Sequence, residues 1–327
     1  MQSILQNTLI LALVLFASIS ALAIGANDNT MASVVGAKVL SLKSAVLLCG
    51  SLFIIGAIIL GPGVSETIGF DFVTISLPFN TVVIIILAMT IWLLLASYLG
   101  YPISATHSII GSVVGIAIFE ILNSGNLIIR LDTLALIVIG WAASPILALI
   151  IAYGLQFFVQ TQVSSRVFGL DDVKKQEGKF GWLLLIMVSI IAFSRGGNDV
   201  SKAVGLITIL TIQPLDLLLI FFIGGLGMAI GLFFLGRRVV QTVGNELTEL
   251  RPSTSFSAAT GSAIILFLGT LFGLPIAATH VLIASLIGAV HANKRRINYS
   301  ILRRLTLASV ITMPISALFA CILVVMQ

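Results

Sequence analysis

Ten long apolar stretches constrain this chain most, lying at roughly 4–24, 44–61, 80–99, 104–122, 133–160, 182–206, 214–235, 256–273, 276–291 and 305–326. Most run for about 20 residues, the length a helix needs to cross a ~30 Å hydrocarbon core. They are continuous rather than alternating, which disfavours membrane β-strands. Between them the chain carries 17 Lys and Arg and 12 Asp and Glu, 9% of its 327 residues. Soluble domains need about 25% to cover their surface. The pattern excludes a soluble enzyme, a nucleic-acid binder and a disordered chain, and predicts an all-α polytopic membrane protein with about 10–12 membrane segments. The fourth and ninth stretches are short and rich in Gly, Ser and Thr, so they are expected to be half-spans or re-entrant pieces. No Lys or Arg precedes Lys38, so the first stretch reads as a retained span rather than a secretory signal. Cys49 and Cys321 fall inside apolar runs and read as small buried hydrophobes.

The basic residues set an orientation. With Arg195 and Lys202 left aside as intramembrane, fourteen of the other fifteen fall in alternate loops and only Arg130 on the opposite side. The positive-inside rule puts the fourteen in the cytoplasm and both termini outside a cell membrane. The high pI of about 9.5 is therefore topology, and the run Lys294-Arg295-Arg296 reads as an anchor at the membrane surface. The longest polar segment, 161–181, is expected to be a cytoplasmic linker between a first half, 1–160, and a second, 182–327.

Two motifs recur in the same order in these halves. Gly25-Ala26-Asn27-Asp28 matches Gly196-Gly197-Asn198-Asp199, offset by 171. Tyr101-Pro102-Ile103-Ser104-Ala105-Thr106-His107 matches Leu274-Pro275-Ile276-Ala277-Ala278-Thr279-His280, offset by 173. Two motifs with nearly equal offsets indicate an internal duplication. Five spans per half would insert the second copy upside down, the inverted-topology repeat of secondary transporters, with interrupted helices and a site near the midplane.

The motif residues suit such a site. Asp28 and Asp199 lie in apolar sequence, where an ionisable group is costly and should face a cavity or a partner. The adjacent glycines and Asn27 and Asn198 suit unwound backbone, with amide oxygens for a cation and N–H donors for an oxyanion. Each Pro-x-x-x-Thr-His turn reads as a helix N-terminus, with Ser104, Thr106 and Thr279 as caps and free N–H groups as an anion site. Arg195 and Lys202 stand four before and three after Asp199, so both can reach its carboxylate; either forms an intramembrane salt-bridge cluster or also meets a substrate anion. His107 and His280 read as packed, hydrogen-bonded histidines, with no ligand or proton role assigned.

At these residues the chain resembles the PiT family of inorganic phosphate transporters, which includes sulfate-transporting relatives. Gly25 to Asp28 and Gly197 to Ser201 are similar to its duplicated Gly-Ala-Asn-Asp signature, and Pro102 to His107 and Pro275 to His280 to its duplicated Pro-x-Ser-Thr-Thr-His signature. The resemblance implies a secondary carrier, often a homodimer, that imports phosphate with Na⁺ or H⁺ and uses no cofactor. It implies that substrate lies between the Asn-Asp segments and the Thr-His helix ends, with Asp28, Asp199 and Ser201 toward the coupling ion. The short linker is similar to prokaryotic members. Four positions depart from the family pattern: Met31 and Lys202 stand where Asn is expected, Arg195 where His is usual, and Ala277 where Ser is. Lys202 is accordingly expected to take the place of one coupling ion. Sulfate is the alternative substrate. An intramembrane aspartyl protease, or a channel or receptor on the same scaffold, are the more remote alternatives.

Overall fold

A computed structural model of the chain describes residues 2–73, 77–125, 128–163, 169–208, 214–243, 250–295 and 297–327. Twelve α-helices follow in order: α1 Gln2–Ala26, α2 Ala32–Gly36, α3 Leu42–Glu66, α4 Phe79–Tyr98, α5 Ala105–Ser124, α6 Leu131–Phe158, α7 Leu170–Thr208, α8 Pro214–Leu235, α9 Arg237–Gln241, α10 Pro252–Leu271, α11 Ala278–Ala292 and α12 Tyr299–Val325. Each of the ten apolar stretches is one helix, and α2 and α9 are single extra turns. Among the described residues the β pairing is a single antiparallel bridge, Val73 to Ile129. Among the described residues eight helices are long and apolar enough to cross a membrane, and α11, with 15 residues, is shorter. The short ninth stretch is thus seen, whereas the fourth is a full 20-residue helix, α5. The polar segment is not all linker either. Its residues from Leu170 onward are the first turns of α7, while 164–168 lie outside the described residues.

Local chemistry explains the ends. Ser41 accepts from the Ser44 N–H at the start of α3, and Asn298 from the Ile301 N–H at the start of α12. Pro252 occupies the first turn of α10, where its missing N–H costs nothing. Gly125 closes α5 in the left-handed region at φ 73°. Pro62, Pro145 and Pro314 lie inside α3, α6 and α12, and each removes one ladder hydrogen bond.

The helix contacts come in matched pairs across the two halves. Between the halves, α3 packs on α7 and α8 on α1, and α6 packs on α11 and α12 on α5; within each half, α4 packs on α1 and α10 on α7. The halves are therefore interlocked rather than laid side by side. Water gives no drive for this packing inside a membrane, so helices associate through close backbone approach at small residues. A Cβ on Gly56 of α3 would stand 1.8 Å from the Phe193 carbonyl oxygen of α7, and one on Gly231 of α8 2.0 Å from the Leu22 carbonyl oxygen of α1. Leu22 and Phe193 are themselves 171 positions apart, the offset of the first motif.

Gly56→Ala should therefore lower stability by about 1–3 kcal/mol through overpacking, read as an earlier thermal transition in detergent. Gly63→Ala, in the same helix with nothing within 4 Å of the added carbon, should leave the transition in place.

Candidate functional site

The duplicated motifs meet at the centre of the bundle. Asn27 follows directly on α1; its Nδ2 donates to the Tyr101 carbonyl and the Ser97 hydroxyl, each at 2.9 Å, and its Oδ1 accepts from the Ile103 N–H at 2.7 Å. In the other half Asn198 Nδ2 donates to the Leu274 carbonyl at 2.8 Å, the residue equivalent to Tyr101. Each asparagine thus ties the Asn-Asp segment to the Thr-His loop of its own half. The threonines tie the halves together: Thr106 Oγ1 donates to the Ile276 carbonyl at 2.8 Å, and Thr279 Oγ1 to the Ile103 carbonyl at 3.1 Å. Ile103 and Ile276 are equivalent positions, so the two loops are linked reciprocally.

Charge is concentrated beside this crossing. Arg195 is the hub: its Nη1 lies 3.0 Å from Asp28 Oδ2, and its Nε donates to Asp199 Oδ2 at 2.7 Å. Lys202 Nζ donates to Asp199 Oδ1 and, at 3.3 Å, to the Ile276 carbonyl. Arg195 Nη1 also donates to Asn29 Oδ1 at 2.9 Å. Asp28 Oδ1 accepts from the Thr30 N–H at 2.7 Å and Asp28 Oδ2 from the Thr30 hydroxyl at 3.2 Å. All four ionic side chains are at most 4% exposed. Two carboxylates against two cations leave the cluster neutral, the condition for burying charge at this depth. Every carboxylate oxygen has a donor, so the cluster as it stands is closed on itself.

The two copies of the first motif fold differently. After Ala26 the chain leaves the helix, because the Asp28 carboxylate takes the Thr30 N–H and competes with helical bonding. The second copy is not unwound as expected: Gly196 to Asp199 lie within continuous α7. There the Arg195–Asp199 and Asp199–Lys202 pairs, at i,i+4 and i,i+3, support the helix. The caps also differ from expectation. Ser104 does cap α5, accepting from the His107 N–H at 3.2 Å. Thr106 and Thr279 do not cap; their hydroxyls cross to the opposite half. Helix α11 has Ala277 at its N-cap and no side-chain cap, the consequence of Ala277 standing in place of a serine.

Ser201 serves the α3–α7 contact, donating to the Gly61 carbonyl at 2.8 Å and to Gly197 within its own helix. His107 and His280, one from each half, stand with ring centroids 4.7 Å apart, and Trp141 lies 3.9 Å from His107. The expectation of hydrogen-bonded histidines fails in part: His107 Nδ1 and His280 Nε2 are buried without a partner, as is Asn198 Oδ1. Sequence reasoning did not single out Asn29 and Thr30. The signal was their adjacency to Asp28, since polar residues following a motif aspartate are natural ligands for its partners. Asn29 and Thr30 also line a cavity of about 20 Å³ with Ser33 and Ser262, room for about one water and too small for a tetrahedral oxyanion. Met31 is buried among apolar neighbours. Among the described residues no group of His, Cys, Asp and Glu is arranged to hold a metal ion.

An all-helical bundle whose polar centre is shared by two matched halves is a multi-pass membrane protein. The chain belongs to the phosphate transporter family, whose model matches residues 24–320. A probable low-affinity inorganic phosphate transporter of Bacillus subtilis is 30% identical, over 90% of this chain and 89% of its own length. A protein of Chlamydia pneumoniae provisionally named a phosphate permease is 28% identical, over 91% of this chain and 93% of its own. A solved structure of a sodium-dependent phosphate transporter has the same fold, with a TM-score of 0.83 at 24% identity, covering 97% of this chain and 98% of that one.

Removing one member of the charge cluster leaves an uncompensated buried charge, a loss of about 3–5 kcal/mol. Asp199→Ala should show it as a large fall in melting temperature in detergent. Adding Lys202→Met to that variant restores the charge balance and should recover part of the loss; equal melting of the single and double variants would contradict the neutral-cluster account.

Proposed function

We propose that this chain is a secondary carrier that imports inorganic phosphate across a cell membrane, coupled to a cation, by rocking two inverted repeats about their crossing. The observation that carries the reading is the reciprocal Thr106–Ile276 and Thr279–Ile103 pairing beside a neutral Asp28–Arg195–Asp199–Lys202 cluster. Family membership and the names of the relatives support phosphate as the substrate. The fourteen basic residues on alternate loops support cytoplasmic placement of those loops and outward termini.

The mechanism follows from charge. Asp28 belongs to the first half and Arg195, Asp199 and Lys202 to the second, so the Asp28–Arg195 pair spans the halves. Parting the halves breaks that pair, widens the small cavity and frees guanidinium donors in a geometry suited to a tetrahedral oxyanion. Asn27, Asn198, Ser104, Thr106 and Thr279 then offer donors around the anion, and the starts of α5 and α11 add their positive dipole ends. Returning to the closed arrangement restores the internal ion pairs in place of substrate. A bound dianion adds two negative charges to a neutral site, so a cation or proton has to accompany it. Asp28, Asp199 and the Ser201 hydroxyl are the candidates for its reception. Lys202 sets its Nζ against the Asp199 carboxylate and so takes over part of that task.

A second reading, sulfate, is favoured by one observation. All four carboxylate oxygens already accept hydrogen bonds, whereas monohydrogen phosphate needs an acceptor for its own proton. The aspartyl-protease alternative has no support: the Arg195 guanidinium stands between the two carboxylates, which do not face each other to share a proton.

Purified protein in liposomes should take up labelled phosphate. Asp28→Ala and Asp199→Ala should each reduce uptake to background, and excess sulfate should not compete. Strong sulfate competition would move the substrate to sulfate. Lys202→Asn should create or strengthen a dependence on Na⁺, measured as uptake with and without an imposed Na⁺ gradient; unchanged ion dependence would remove Lys202 from the coupling step.

A further inference from the structure

We infer that a cleft between the end of α6 and the end of α11 is a binding site for the headgroup of an anionic phospholipid. The cleft encloses about 780 Å³ and is lined by Tyr153, Phe157 and Gln160 on one side and His291, Lys294 and Arg295 on the other. Among the described residues no acidic side chain lines it. Its basic wall is preformed. Helix α11 ends with the Arg295 N–H donating to the Val290 carbonyl at 3.2 Å and the Lys294 N–H to that of His291 at 3.0 Å. Lys294 itself sits in the left-handed region at φ 52°, a conformation uncommon for a residue with a side chain. The turn is pinned from behind, where Asn293 Nδ2 donates to the Thr254 hydroxyl of α10 at 3.0 Å. Two cations are thus brought to one cleft by a helix end that spends its own carbonyls internally.

The opposite wall selects a lipid over a free anion. Tyr153 is 40% and Phe157 53% exposed, and they continue the exposed apolar face of α6 formed by Ile146, Leu147 and Ile150. Aromatic residues at the end of an apolar helix mark the membrane–water interface. A headgroup phosphate at Lys294 and Arg295 places its acyl chains along that face. Basic pockets between membrane helices are suited to such headgroups. The site is separate from the buried charge cluster and does not depend on the transport reading.

The test is native mass spectrometry of the full chain titrated with phosphatidylglycerol or phosphatidylcholine. The wild-type protein should bind phosphatidylglycerol in preference. With roughly 1 kcal/mol for each basic residue near the surface, Lys294→Gln should weaken it about 5-fold and Lys294→Gln with Arg295→Gln about 30-fold. Lys174→Gln with Lys175→Gln, an equal loss of charge on the exposed first turns of α7, should leave the affinity unchanged. Melting in phosphatidylcholine checks that each variant is folded, and the single variant decides if the double one is not. Equal affinity in wild type and variants, equal loss in the α7 pair, no preference in the wild type, or displacement of the lipid by inorganic phosphate would each overturn the inference.

Discussion

Burying four charges in an apolar bundle is permissible only if they neutralise one another, and the centre of this protein is organised around that requirement. Arg195 bridges Asp28 and Asp199, and Lys202 completes the balance on Asp199. Because Asp28 comes from one half and the other three from the second, the neutralising contact is also an inter-half contact. The surrounding geometry follows from this. Helix α1 ends where Asp28 must turn to meet Arg195, and α7 stays helical where its ion pairs lie three and four residues apart. The interlocked helix pairs bring both segments to one place, with carbonyl-to-glycine contacts at Gly56 and Gly231 setting how closely they approach.

The same constraint makes the site suitable for a carrier. In the proposed carrier, a network that satisfies itself internally would give a stable closed form without substrate, and an anion would compete with the internal carboxylates for the same guanidinium. The unpartnered Asn198 Oδ1 and the uncapped start of α11 lie on the second half. The equivalent groups of the first half are bonded, Asn27 Oδ1 to the Ile103 N–H and Ser104 to the His107 N–H. The two halves therefore differ in polar satisfaction although their helix packing matches. At the helix start the asymmetry traces to Ala277 against Ser104; between the asparagines it goes with the backbone, Asn27 following α1 and Asn198 lying within α7.

Much of this was legible in the chain alone. Ten apolar runs became ten helices because, in a membrane, backbone groups have to be satisfied within the segment. The i,i+3 and i,i+4 spacing of Arg195, Asp199 and Lys202 was enough to pair them. The duplicated motifs singled out the residues that meet at the centre. What was not legible depended on partners far away in sequence. The hydroxyls of Thr106 and Thr279 were read as local caps, since a cap is the nearest available acceptor role. In the folded protein each donates across the bundle, to carbonyls 170 and 176 residues away.

Sequence by itself determined that the chain is a membrane helical bundle with a duplicated motif pair and a charged centre, because hydropathy, spacing and repetition are local or periodic properties. Only the tertiary structure decided that Asp28 shares Arg195 with Asp199, that Asn29 and Thr30 join them, and that His107 meets His280. Those contacts arise from how the two halves interlock, and no pattern along the chain encodes which side chain a buried guanidinium faces.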